Sequence, residues 1–185
     1  MHHHHDDFDY ERIDEMRTKI VDVQKVVDLI HIEKEDVICD MGSGSGFYSA
    51  LFSKHCKHVY AYEWSEKGNE ILEKRIKENH IDNITIKREN ICKVSSFPEC
   101  TKVFFSTSFH DFECRENLIE LFKRAGSPDF VLIEFKKEGE VGPPAGIRIS
   151  KNELEKIFSR HGYSMKKEIE FEYTYVSYFT PVNSH

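Results

Sequence analysis

The segment Val37-Ile38-Cys39-Asp40-Met41-Gly42-Ser43-Gly44-Ser45-Gly46-Phe47 joins an apolar run, an acidic residue, three alternating glycines and the start of a helix. Glycines at this spacing let the chain turn sharply and let a ligand approach the backbone with no Cβ in the way. The next helix exposes unpaired N–H groups at its N-terminus. A dinucleotide site would want G-x-G-x-x-G, with pyrophosphate on that helix end. Here the spacing is G-x-G-x-G and Asp40 stands before it. A carboxylate beside the turn repels a pyrophosphate and suits a ligand with a cationic amino group. The alternative reading is a tight turn that holds nothing.

Two more positions carry ligand chemistry. Glu63 ends the apolar run from Val59, where a carboxylate can accept both hydroxyls of a ribose; otherwise it is a surface glutamate. Trp64, the single tryptophan, could lay its flat apolar face on an adenine or pack a helix on a sheet. After the next run, Asn90 offers an amide that could read an exocyclic amine or cap a loop. S-adenosylmethionine is one ligand that combines such an amino group with a ribose and an adenine.

The elements that position these residues alternate short apolar runs with longer amphipathic ones, the pattern of βαβ units and a mostly parallel sheet. Strands are expected at Val37–Met41, Val59–Glu63, Ile84–Arg88, Val103–Ser106 and Phe130–Phe135. Helices are expected at Ile13–Thr18, Val21–Ile30, Phe47–His55, from Ser65 to about Asn79, at Glu116–Arg124 and at Lys151–Arg160. Tyr163–Phe171 and Tyr173–Thr180 alternate with no helix between them and read as a closing antiparallel hairpin. Its exposed edge could pair with a second copy of the chain. Residues 1–12 read as an arm and 13–185 as one domain.

Composition narrows the function classes. The chain has 185 residues, 39% hydrophobic and 32% charged, a globular balance. Its 26 basic and 33 acidic side chains leave a net charge of -7, which argues against broad nucleic-acid binding. No apolar run is long enough to span a bilayer, and the start lacks the apolar stretch of a signal peptide. Cys39, Cys56, Cys92, Cys100 and Cys114 are odd in number with no C-x-x-C, which argues against a disulfide framework or a zinc site. A reducing cytoplasm is then the expected compartment, and no metal is expected. His2–His5 read as a tag or a natural His-rich arm.

The segments Ile38–Gly46, Ala61–Ser65 and Phe105–Asp111 together resemble the class I S-adenosylmethionine-dependent methyltransferases, closest to the ubiquinone/menaquinone-biosynthesis-like, or type 11, branch. Phe8-Asp9-Tyr10-Glu11-Arg12 resembles an N-terminal stretch of that branch, with Tyr10 in place of its usual proline. Ile133–Ile149 resembles the segment after its fifth strand. The resemblance covers about Phe8 to Thr180. It implies an α/β Rossmann-like fold: a mostly parallel seven-stranded sheet, helices on both faces and a C-terminal antiparallel hairpin. It also implies S-adenosylmethionine as cofactor and S-adenosylhomocysteine as product. It places Asp40, Met41, Gly42, Ser43, Gly44 and Gly46 at the methionine part, Glu63 on the ribose and Trp64 on the adenine. It places Asn90, where an Asp is commoner, and Ile91 at the adenine edge, and Ser106–His110 at the floor of the reaction site.

On the acceptor side, Ser106-Thr107-Ser108-Phe109-His110-Asp111 lacks the Asn/Asp-Pro-Pro-aromatic stretch of enzymes that methylate DNA bases. His110 is the candidate base, with Asp111 able to orient it; the alternative is that His110 packs or caps the next helix. Arg148, after the Gly139–Gly146 loop, could clamp an anionic acceptor or hold the loop. Tyr10 and Arg12 could fold over the same mouth. Cys92, Cys100 and Cys114 could hold a soft acceptor such as arsenite, though three structural thiols is the simpler reading. The leading expectation is methyl transfer to a small-molecule acceptor. The others are methylation of a protein or RNA, a non-catalytic cofactor-binding protein and, against Asp40 and the glycine spacing, a dehydrogenase.

Overall fold

The computed structural model describes residues 9–182; the His2–His5 run and Phe8 lie outside them. The elements run in the order α1 (Tyr10–Ile20), α2 (Val23–Ile30), β1 (Val37–Met41), α3 (Phe47–Phe52), β2 (His58–Tyr62), α4 (Glu66–Glu78), β3 (Ile84–Lys87), β4 (Lys102–Ser106), α5 (Arg115–Arg124), β5 (Asp129–Phe135), α6 (Lys151–Arg160), β6 (Tyr163–Glu170) and β7 (Thr174–Pro181). Every expected element is present, with ends shifted by a few residues. Polar caps set several helix starts. Asp9 accepts from the backbone of Arg12 at α1, Ser65 accepts from Gly68 at α4, and Ser150 and Glu153 form a reciprocal box at α6.

The seven strands form one sheet in the order β3-β2-β1-β4-β5-β7-β6. The first five are parallel. The closing hairpin inserts β7 antiparallel against β5 and leaves β6 on the edge. The order reverses between β1 and β4, which is the topological switch point where open α/β sheets bind ligands, beyond the strands' C-terminal ends. The glycine turn leaves β1 at that crevice.

Alternation along the strands divides the core between the two faces. Cys39, Met41, Val103, Phe105, Phe130, Leu132, Tyr175 and Phe179 pack with residues of α5 and α6. Ile38, Phe104, Val131, Ile133, Val176 and Tyr178 pack with residues of α1, α2 and α3. Helices therefore cover both faces, the arrangement the apolar strands require.

One expectation fails. Cys92 and Cys114, 22 residues apart, form a disulfide with an S–S distance of 2.00 Å, while Cys39, Cys56 and Cys100 are free and buried. Residue spacing could not show that the turn after β3 and the start of α5 lie side by side. The inference from cysteine usage to a reducing compartment loses its premise. Closing a loop of this length restricts the unfolded chain by about 3 kcal/mol. Urea unfolding with and without reductant should differ by about that amount, and a Cys92→Ser, Cys114→Ser variant should be insensitive to reductant. A wild-type curve unmoved by reductant would show that the bond adds nothing to stability.

Candidate active site at the C-terminal edge of the sheet

The turn after β1 is held in shape by the end of β2. The N–H groups of Gly42 and Ser43 both donate to the Tyr62 carbonyl at 2.9 Å. Gly44 N–H donates to Glu63 Oε2 at 2.7 Å, and Ser65 N–H donates to Glu63 Oε1 at 2.7 Å. Glu63, one residue past β2, thus joins two loops at once. A carboxylate has about four lone-pair sites, and among the described residues backbone donors take two of them on Glu63. Two of the glycines are required by their backbone and their neighbours. Gly42 has φ +73°, and a Cβ there would lie 3.1 Å from the Ser108 Cβ. Gly46 also has φ +73°, and a Cβ there would meet Leu72 Cδ1 at 2.2 Å.

Helix α1 is fastened over the turn. Asp14 accepts from Ser45 Oγ at 2.8 Å, from Arg17 at 2.8 Å and from Arg75 of α4 at 2.7 Å. The buried Tyr10 ring lies against Gly44 and its hydroxyl against Gly68. Tyr10 therefore covers the glycine turn rather than the loop that carries Arg148, while Arg12 is exposed. Nothing in the spacing of Asp14 singled it out, because its partners are 31 and 61 residues away.

The remaining cofactor-side candidates fall at the same edge with different surroundings. Asp40 is 2% exposed, and its Oδ2 accepts from Ser49 Oγ of α3 at 2.6 Å. Met41 points into the core shared with α5 and α6, so only its backbone faces the turn. Trp64 is 59% exposed, which removes the packing alternative and leaves its ring face open. Asn90 caps the turn at Ile91–Lys93 through Cys92 N–H at 3.0 Å, the loop-capping alternative in fact. Ile91 and Ser106 are buried.

The acceptor-side segment leans on the glycine turn: Ser108 Oγ donates to the Met41 carbonyl at 2.8 Å, and Phe112 also touches Gly42. His110 is buried, and its Nδ1 lies 2.6 Å from Glu134 Oε2. Asp111, the expected orienting group, is 3.5 Å from Nε2 with a half-exposed side chain. The close carboxylate is instead Glu134, which sequence reasoning passed over. Its signal was present: it is the one charge inside the apolar run Phe130–Phe135. Arg148 does not offer a clamp. Its guanidinium donates to the carbonyls of Pro143 at 2.6 Å, Lys136 at 2.9 Å and Gly139, so it holds the loop. A cavity of about 220 Å³ opens between the ends of β5 and β7 and the start of α6, with Lys136, Lys137, Ser150, Lys151 and Tyr175 in its lining. Among the described residues no group of three or more His, Cys, Asp or Glu could hold a metal ion. Among them, too, no helix is long and apolar enough to cross a membrane.

A parallel sheet with this order, the glycine turn at its switch point and the closing hairpin define the class I S-adenosylmethionine-dependent methyltransferase fold. The structure superimposes on a SAM-dependent methyltransferase from Aquifex aeolicus with a TM-score of 0.82 and 22% identity, covering 95% of this chain and 100% of that one. The family model for ribosomal RNA adenine dimethylase matches residues 18–126, more than half of the chain, and the chain belongs to that family. It is 23% identical over 123 residues to the ribosomal RNA small subunit methyltransferase A of Staphylococcus carnosus, covering 63% of this chain and 41% of that relative. It is 25% identical over 155 residues to a probable cobalt-precorrin-6B C(15)-methyltransferase (decarboxylating) of Methanococcus maripaludis, covering 84% of this chain and 75% of that relative.

Burial lifts the Asp40 carboxyl from its ordinary 3.8 to about 6, against the Ser49 hydroxyl and the Arg17 charge, which lower it. The raised value means that the fold favours the protonated form. That contribution is complete below about pH 3.8 and is lost as pH rises through about 6. Asp40→Asn keeps an acceptor for Ser49 and removes the ionisation. It is expected to match the wild type near pH 4 and to be more stable by about 2 to 3 kcal/mol near pH 8, at ~1.4 kcal/mol per pK unit. Urea unfolding at both values checks this; a variant less stable near pH 8 would show that the ionised carboxylate is the favoured form.

Proposed function

We propose that this chain is an S-adenosylmethionine-dependent methyltransferase acting on a small-molecule acceptor. The observation that carries the cofactor half is the Glu63 carboxylate. It is held against the glycine turn at the switch point with lone pairs to spare and with the open Trp64 ring next to it. In this reading Asp40 and the backbone from Met41 to Gly46 surround the methionine part. Glu63 accepts the ribose hydroxyls and Trp64 covers the adenine. Ile91 and the Asn90 backbone border its edge, and Ser106, His110 and Asp111 face the acceptor. Methyl transfer is a direct displacement at a sulfonium carbon, so these groups need chiefly to align acceptor, methyl and sulfur and to keep water out.

The acceptor half rests on the segment after β4 and on charge. The Asn/Asp-Pro-Pro-aromatic stretch is absent and the net charge is -7. The resemblance of Ile133–Ile149 to the type 11 branch supports the same side. A second reading, methylation of ribosomal RNA, is favoured by the family match and by the Staphylococcus relative.

Titration calorimetry with S-adenosylhomocysteine, with NAD as control, tests the cofactor half. Micromolar binding is expected, weakened about tenfold or more in Glu63→Ala, the equivalent of ~1.4 kcal/mol, and weakened less in Trp64→Ala. A folded protein that ignores S-adenosylhomocysteine would overturn the proposal. Labelled methyl recovered in ribosomal RNA, with none in small metabolites, would replace the small-molecule reading by the RNA one.

A further inference from the structure

Glu134 is fully buried in β5. One of its carboxylate oxygens meets His110 Nδ1 at 2.6 Å, and the other has no hydrogen-bond partner among the described residues. Its neighbours on that face are apolar or neutral: Leu132 on its own strand, and Tyr175, its cross-strand partner on β7. A carboxylate in such surroundings costs several kcal/mol unless paired, and a well-packed apolar residue would serve packing better. The pairing is built by topology. β4 and β5 run side by side with Ser106 opposite Ile133, and Thr107 N–H donates to the Ile133 carbonyl at 2.7 Å. The turn carrying His110 is thereby pinned beside Glu134.

With Nδ1 engaged by Glu134, the other ring nitrogen is directed by the same geometry. Nε2 lies toward Asp111, whose side chain is half-exposed, on the segment that packs against Gly42 through Ser108 and Phe112. The nitrogen left to accept a proton is therefore the one on the Asp111 side, in a side chain that is itself nearly buried. The turn's remaining charged neighbour is Arg115 of α5, which donates to the His110 carbonyl at 3.3 Å.

We propose that His110 removes a proton from the methyl acceptor through Nε2, that Glu134 is the positioning residue holding its ring and tautomer, and that the acceptor is a small phenolic or enolic hydroxyl compound. The proposal rests on the cofactor reading above. A neutral amine attacks with its lone pair and can shed its proton afterwards to solvent, so it needs no base. A hydroxyl near neutral pH is a poor nucleophile until its proton leaves, so a held imidazole serves that class. The acceptor oxygen forms a bond to the methyl carbon as the carbon–sulfur bond breaks. The breaking bond's electron pair stays on sulfur to give the neutral thioether, and the hydroxyl proton passes to Nε2 and then to solvent. Burial alone would lower the His110 pKa, but the Glu134 hydrogen bond and charge, with Asp111, outweigh it, and the net shift is upward. Neutral His110 is the working form, so the rate should rise with pH through that raised value.

Wild type, His110→Gln, Glu134→Gln and Glu134→Asp are compared in two measurements. Calorimetry with S-adenosylhomocysteine should give affinities within about twofold of one another, which shows each variant folded and its cofactor site intact. Labelled S-adenosylmethionine is then offered with separate pools of small phenols and enols, amines, and thiols. Methyl should enter the hydroxyl pool. His110→Gln should lose about 100-fold or more in kcat with acceptor KM little changed. Glu134→Gln should lose less and move the acid limb of the pH profile downward, and Glu134→Asp should regain part of both. Transfer only to amines or thiols, transfer to hydroxyls indifferent to His110→Gln, or no transfer to any pool by a protein that binds S-adenosylhomocysteine would each overturn the proposal. No binding of S-adenosylhomocysteine by the wild type would instead fell the cofactor reading beneath it.

Discussion

One carboxylate closes the crevice. Glu63 receives the Gly44 N–H on one oxygen and the Ser65 N–H on the other, and those two groups belong to loops that leave adjacent strands. Hydrogen bonds to a charged acceptor contribute about 1.5 to 3 kcal/mol each, and here they also set a shape. The glycine turn has left-handed backbone at Gly42, Gly44 and Gly46, a conformation with little intrinsic preference of its own. The Tyr62 carbonyl and the Glu63 carboxylate supply the acceptors that keep it there. Without them the N–H groups of Gly42, Ser43 and Gly44 would face the switch point unpaired.

The second constraint is the latch from α1. Asp14 gathers a serine hydroxyl from the turn and guanidinium groups from Arg17 and Arg75, so a helix before the sheet, the turn after β1 and a helix after β2 meet at one side chain. Arg17 is itself buried, and its charge reaches Asp40 from the same side. The cofactor-side groups are thus not independent. Arg17 and Glu63 act on Asp40 in opposite senses, the first favouring its ionised form and the second its protonated form, so the protonation of Asp40 depends on how closely the α1 latch is seated.

Much of this was legible in the sequence because it is local. The strand–turn–helix of Val37–Phe52 shows in apolar runs and glycines, and the hairpin shows in two alternating runs with no helix between them. Glu63 was legible because it ends its strand. What escaped was long-range. The Cys92–Cys114 bond and the Asp14 latch join residues whose proximity exists only once β1, β3 and β4 lie in one sheet. The sequence left Arg148 open between a clamp and a loop support, because its three carbonyl partners belong to an irregular loop with no period to read. Glu134 stood in plain view within an apolar strand, but its partner could be found only by laying β4 beside β5.

Glu134 and Glu63 show how one sheet assigns different tasks to similar groups. Both sit at the C-terminal edge and both are buried, but Glu63 is surrounded by backbone donors whereas Glu134 faces apolar side chains and one imidazole. A carboxylate fed by N–H groups is fixed in place and keeps room for further hydroxyl donors. A carboxylate with a single titratable partner and an idle oxygen polarises that partner and fixes which of its nitrogens holds the proton. The first environment suits a ligand that must be bound and left unchanged, and the second suits a group that must exchange a proton. The switch point lies between them, so a methyl donor anchored on the Glu63 side would present its reactive carbon toward the His110 side. The division of labour is set by what surrounds each glutamate: backbone donors just past β2, and a single imidazole beside β5.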